Sequence, residues 1–283
     1  MTTTRRKTAM WIAAAALVVG GTACSSSGST PSAASTSDSA VRVTTTTAPA
    51  NEPITIVVTD DDGIDAPGID ELARELSALD DVTVKVVAPA TNQSGTGDSA
   101  TPGDVAHHPA KTRSGIEGVA VEGTPADSVN VALDELGLEP DLVASGINKG
   151  QNVGPLGNIS GTVGAALTAA RRGIPAVAGS AGLTDPDYAL GARYVVEWVR
   201  ANRARIAAGR MPKGRVVNIN VPRCTSGEAH RLVDVPTATA IPEGTNPFEA
   251  DCAATSASFK PRDDVDALAH GFPARSNVPA SPG

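Results

Sequence analysis

The sequence predicts an α/β domain, a mostly parallel sheet with helices on both faces, and three observations point to it. Apolar runs alternate with helix-period patterns from Ile54 to Val221, the arrangement of successive strand-helix units. Aromatic residues make up only 2% of the chain, so the core must be built from Val, Ala, Ile and Leu. Polar loops follow several of the apolar runs, and ligands of open α/β sheets gather beyond the carboxyl ends of the strands.

Ile54 to Thr59 (ITIVVT) is rich in β-branched residues and reads as a buried strand. Pro67 to Leu79 reads as a helix and Val82 to Ala88 as a second strand. Val119 to Val121 is a short strand before a helix opening near Pro125, and Asp141 to Ala144 is another strand. Ser160 to Arg172 forms a helix, followed by strand Ile174 to Ala178, the long helix Asp187 to Ala208 and strand Val216 to Val221. No internal repeat is visible. Beyond Pro222 the pattern weakens and Pro and Gly recur, which predicts irregular structure or small hairpins packed on the main domain.

The first residues address the chain to a compartment. Arg5, Arg6 and Lys7 precede an apolar core, Met10 to Val19, and then Gly20-Gly21-Thr22-Ala23-Cys24, the layout of an export signal and too short to span a membrane. Small residues directly before a cysteine resemble a bacterial lipobox. That resemblance implies a lipoprotein signal peptide over residues 1–23, cleavage before Cys24 and a lipid on its thiol that anchors the chain to the extracytoplasmic side of the cell membrane; a plain secretory peptide cut near Ala23 would instead release it. Residues 24–51 are rich in Ser, Thr, Ala and Pro and read as a disordered tether. The remaining 52–283 suit one α/β domain of roughly 230 residues.

The formal net charge is −8 and becomes more negative once the three basic leader residues are lost, so no basic face is available for a nucleic acid duplex. Apart from Cys24 the cysteines are Cys224 and Cys252. In an oxidising compartment they either form a disulfide, worth about 3.5 kcal/mol for so short a loop, or remain two free thiols.

Chemistry concentrates where the first strand ends, in Asp60-Asp61-Asp62-Gly63. Three like charges within one turn repel, and burying any of them is costly without a cation or hydrogen bonds; a divalent metal is the simplest remedy. Three other loops carry polar residues: Pro89 to Thr101, Gly123 to Asp127, and Ser145 to Gly154 leading into Ser160-Gly161-Thr162. Asp carboxylates, a Ser hydroxyl and an Asn carbonyl from such loops match a hard cation such as magnesium or manganese. The helix opening at Ser160-Gly161-Thr162 offers free N–H groups and a dipole that favour an anion. An EF-hand alignment fails, because setting Gly63 at the glycine position puts Val58 and Ile69 where acidic ligands must stand. His107 and His108 read as part of a surface loop. None of the four histidines sits in a strand-end motif, which disfavours Ser-His catalysis.

In these residues the chain resembles the SurE family, the survival-protein nucleotidases. The matching motifs are Asp60 to Gly63 with Ala66-Pro67-Gly68, Ala88-Pro89 with Ser94-Gly95, Gly123-Thr124-Pro125 with Asp127, Ser145-Gly146-Ile147-Asn148 with Gly150 and Asn152, Ser160-Gly161-Thr162-Val163, and a later Asn218-Ile219-Asn220-Val221-Pro222. The resemblance implies a three-layer, Rossmann-like fold and a metal-dependent phosphatase, a 5′/3′-nucleotidase acting on nucleoside monophosphates. It places the metal on Asp61, Asp62, Ser94 and Asn148, with Asn152, Ser160, Gly161 and Thr162 orienting the phosphate. Asp61 would either accept the proton of the attacking water or attack phosphorus itself. A branched side chain in place of Gly161 would crowd the close approach of the ligand to the backbone. Family members also carry a hairpin arm that supports homo-oligomers.

The chain departs from the pattern at Asp60, where the family has asparagine, adding a charge that raises a neighbour's pKa or tightens metal binding. Ala90, Thr91 and Gln93 replace polar or basic residues of the second loop. Arg223 to Gly283 matches only loosely, although Asp264 to Phe272 resembles the family's closing run; Asp264 either helps shape the pocket rim or, the preferred reading, is a solvated surface carboxylate, and Lys149 reads as a solvated cation. The competing functional class is an exported nucleotide- or solute-binding lipoprotein that keeps the pocket without turnover; a binder would have no need of the metal set.

Overall fold

Strand β1 (Ile54–Thr59) forms where the sequence places it, and its period of two sets the layers: Ile56 and Val58 face one core, Val57 the other. The computed structural model describes residues 52–280, so the expected leader, Cys24 and the tether lie outside the described residues. The chain continues through α1 (Pro67–Ser77), β2 (Val82–Pro89), β3 (His107–Lys111), β4 (Glu117–Val121), α2 (Pro125–Asn130), β5 (Leu142–Lys149), α3 (Gly161–Arg171), β6 (Ala176–Ala181), α4 (Tyr188–Ala207) and β7 (Arg215–Asn220). Beyond these come β8 (Cys224–Ser226), β9 (Val233–Asp234), β10 (Ala250–Asp251), α5 (Asp264–Ala269) and β11 (Ala274–Pro279).

The sheet has nine strands in the order β3-β4-β2-β1-β5-β6-β7-β11-β9. From β4 to β7 every pairing is parallel, whereas β3 and β11 pair antiparallel with β4 and β7. One face is covered by α1 and α4 through Ile69, Leu72, Leu76, Val195, Val199 and Ile206. The other is covered by α2 and α3 through Val129, Val163, Ala166 and Ala170. Two helical layers around a parallel sheet confirm the expected three-layer architecture. Among the described residues no helix is long and apolar enough to cross a membrane.

Three expectations need correction here. His107 and His108 belong to an edge strand rather than a loop, one that tolerates Pro109 because its outer side needs no ladder donor. The segment after Pro222 does more than decorate: β11 extends the main sheet, and the small pair β8-β10 is parallel, not a hairpin. Cys224 and Cys252 are joined in a disulfide that closes this pair.

Asp264 is the third correction. It is 0% exposed, and it accepts from Ala238 N, Gly154 N and Ser276 Oγ. Burial raises its pKa, and the two backbone N–H groups and the hydroxyl oppose that shift. Asp264 thus ties the C-terminal segment to the loop after β5. Asp264→Ala leaves two buried N–H groups without an acceptor, so we expect a loss of about 2–4 kcal/mol, read as a fall in Tm of about 5–12 °C; an unchanged Tm would contradict the assignment.

Candidate active site

The site is built on the carboxyl ends of β1 and β5, which pair in register up to Thr59 opposite Ser145. Just past β1, Asp60 is fully buried and Asp61 nearly so, while Asp62 is half-buried. Asp60 and Asp61 share a neighbour in Thr162, whereas Asp62 is held by others. Thr162 Oγ1 donates to Asp61 Oδ1 at 2.6 Å and lies 3.4 Å from Asp60 Oδ1. Asp62 Oδ1 accepts from Asn92 Nδ2 and Oδ2 from the Lys149 backbone N–H, both at 2.8 Å.

Burial pushes the Asp60 carboxyl well above the usual carboxylate range, and the charges of Asp61 and Asp62 push it further. The extra acid therefore bears the shift itself. Burial also raises Asp62, opposed chiefly by the Lys149 N–H. Tyr188, at the first turn of α4, is pushed up to about 12 by burial and by the charges of Asp62 and Asp60, so its phenol keeps its proton.

Four buried oxygens at these strand ends, Thr59 Oγ1, Asp60 Oδ2, Ser145 Oγ and Asn148 Oδ1, have no hydrogen-bond partner among the described residues. Asn148 is 6% exposed and donates its amide to Gly150 O, which fixes Oδ1 as the unengaged acceptor. An orphaned amide oxygen beside carboxylates fits a cation better than a proton donor. Among the described residues no group of three or more His, Cys, Asp and Glu side chains could hold a metal ion. The donor set here has two acids, Asp61 and Asp62, with neutral oxygens making up the rest, which is chemistry for a hard cation.

Ser94 sits on the same edge. Gln93 N donates to Asp61 O at 2.7 Å and Asn92 grips Asp62, so the loop after β2 is pinned to the acidic turn while the Ser94 side chain stays exposed. Its backbone N–H donates to Asn92 Oδ1.

Helix α3 meets this edge head-on. Ser160 caps it, accepting from Val163 N, which leaves the Gly161 and Thr162 N–H groups without intrahelical partners. A Cβ on Gly161 would lie 2.7 Å from Asp61 Cβ and 3.0 Å from Pro125 Cγ. The glycine thus makes room for Asp61, a packing reason that stands beside the expected approach of a ligand. The Thr162 hydroxyl is likewise spent on Asp61, so only its backbone N–H remains for an anion.

Asn152 is drawn into a buried network at the ends of β6 and β7. Its N–H donates to Asn220 Oδ1, its side-chain amide to Ser180 Oγ, and its carbonyl accepts from Asn218 Nδ2. Reading the sequence missed this role for Asn218 and Asn220, although two asparagines two residues apart on one face of an apolar strand were the available signal. Gly123-Thr124-Pro125 with Asp127 is a capping box that starts α2, and Asp127 also binds Thr101. Its polar groups are used in the cap.

The family model described as Survival protein SurE matches residues 56–240. A 5′-nucleotidase SurE of Halobacterium salinarum is 54% identical over 131 residues, covering 46% of this chain and 47% of that protein. The 5′-nucleotidase SurE of Geotalea daltonii is 38% identical over 171 residues, 59% of this chain and 65% of its own. The matched stretches thus span between about half and two thirds of these relatives. A crystal structure of the Sure protein from Aquifex aeolicus superposes with a TM-score of 0.64 at 26% identity, covering 81% of this chain and 94% of that one.

Proposed function

The chain belongs to the SurE family, and from that premise we propose that it is a divalent-cation-dependent phosphomonoesterase that converts nucleoside monophosphates to nucleoside and phosphate. The observation that carries the reading is the unengaged, buried Asn148 Oδ1, one residue before the Lys149 N–H that binds Asp62, at the sheet edge where Asp61 accepts from Thr162 of α3.

Asp61, Asp62, Asn148 and Ser94 would hold magnesium or manganese, which supplies polarisation of a phosphoryl oxygen and neutralises charge that develops there. The Gly161 and Thr162 N–H groups donate to the phosphate, with the α3 dipole behind them. Thr162 occupies Asp61 Oδ1, leaving Oδ2 as the oxygen not engaged by that hydroxyl. A carboxylate oxygen so placed accepts the proton of the attacking water. Water's oxygen then bonds to phosphorus, the ester P–O bond breaks, and a proton ends on the departing nucleoside oxygen. Asn152 acts one step removed, by holding the loop between β5 and α3.

One helix start is sized for one phosphoryl group, and the surroundings add little positive charge: Asp62 and Asp65 stand against Lys149. We expect kcat/KM for AMP to exceed that for ATP by about tenfold or more. Phosphate release from a panel of nucleoside mono-, di- and triphosphates checks this, and faster release from ATP would overturn the reading. The proposed setting is outside the cytoplasm, anchored through Cys24; the Cys224–Cys252 disulfide supports it, because such bonds persist in oxidising compartments.

A further inference from the structure

Beside the acidic turn runs an open cleft of about 540 Å³ between the first turns of α1 and α4, within the range of about 300–1,000 Å³ usual for small-molecule sites. Asp62, one of the residues that would hold the cation, lies in its wall, so the cleft opens beside the proposed metal site. Ala66, Pro67 and Pro186 give it apolar sides, and Asp65 and Lys149 supply polar groups at its rim. A single aromatic ring lines it, that of the half-buried Tyr188. The ring rests on α1 where only a glycine allows it: a Cβ on Gly68 would lie 2.9 Å from Tyr188 Cε1.

We infer that this cleft receives the nucleoside of the substrate and that Tyr188 is the contact residue for its base. The inference rests on the nucleotidase reading above and adds a specificity-determining residue to it. Size and chemistry both favour this occupant. The leaving nucleoside is neutral, so it can lie beside Asp62 and Asp65, where a second phosphate would meet like charge. A base offers a flat apolar face for a ring in a chain with few aromatics, and stacking on an aromatic side chain tolerates any base. Hydroxyls of the sugar can donate to the exposed Asp65 carboxylate. Ala90 closes one side with a methyl group only, leaving the depth the base needs.

The test uses adenosine as a turnover-independent probe, with AMP and methyl phosphate as substrates. Tyr188→Ala should raise the Kd of adenosine about tenfold and lower the ratio of kcat/KM for AMP to that for methyl phosphate by a similar factor, through KM. Ala90→Leu fills the cleft without touching the tyrosine and should weaken adenosine binding as well, which keeps the test open should Tyr188→Ala not fold. Wild-type Kd for adenosine in both variants, or equal losses on AMP and methyl phosphate, would overturn the inference. Wild-type protein that binds adenosine through Tyr188 yet releases no phosphate from AMP would instead overturn the nucleotidase reading and still support the cleft. AMP hydrolysis with no measurable adenosine binding would sink the cleft alone.

Discussion

Asp61→Asn and Asp62→Asn should each cut kcat for AMP by roughly 100-fold or more, since even residues that only support metal ligands contribute about 10–100-fold. The two variants should differ in their side effects. Asparagine at position 61 can still accept from Thr162 Oγ1 through its remaining oxygen, so the junction between β1 and α3 stays satisfied. At position 62 both oxygens accept, one from Asn92 and one from the Lys149 N–H. An amide there turns one acceptor into a donor facing a donor, which loosens the loop as well as the charge. Circular dichroism and a Tm for each variant separate these effects, with the larger Tm change expected for Asp62→Asn. Wild-type turnover in either would remove Asp61 and Asp62 from the reaction.

Gly161→Val should be nearly as damaging, for a reason that only the packing shows. Its branched side chain has no space between Asp61 Cβ and Pro125 Cγ, so either Asp61 leaves its position or α3 backs away from β1. Overpacking of this kind costs about 1–3 kcal/mol, and a displacement near 1 Å of a group at the reaction centre costs about 100-fold in rate. We expect both a lower Tm and a kcat/KM for AMP reduced by about 100-fold. An unchanged kcat/KM would mean that Asp61 and the start of α3 are not jointly responsible for turnover.

The strands that supply the site were legible because their apolar runs end abruptly in polar motifs, as Ile54 to Thr59 does before Asp60. Asn148 was found by its motif but misplaced in a loop. Ser145 to Lys149 continues β5 with a register shift between Ser145 and Asn148, and a strand that breaks register around a glycine does not alternate cleanly. β3 escaped notice because its sequence HHPAK has neither alternation nor an apolar face. Asp264 looked like a surface acid because its partners, Gly154, Ala238 and Ser276, come from three separate segments. The roles of Thr162 and Gly161 toward Asp61 were hidden for the same reason, since about a hundred residues separate α3 from β1 and only the folded sheet brings them together.

A cation held at Asp61, Asp62, Ser94 and Asn148 should be required for turnover of nucleoside monophosphates. Phosphate release from AMP by protein stripped with EDTA, dialysed and then titrated with magnesium or manganese measures it directly. Release should stay near the uncatalysed background in the stripped protein and recover as either oxygen-preferring cation is added. A full rate in the stripped protein, unaltered by added cation, would contradict it.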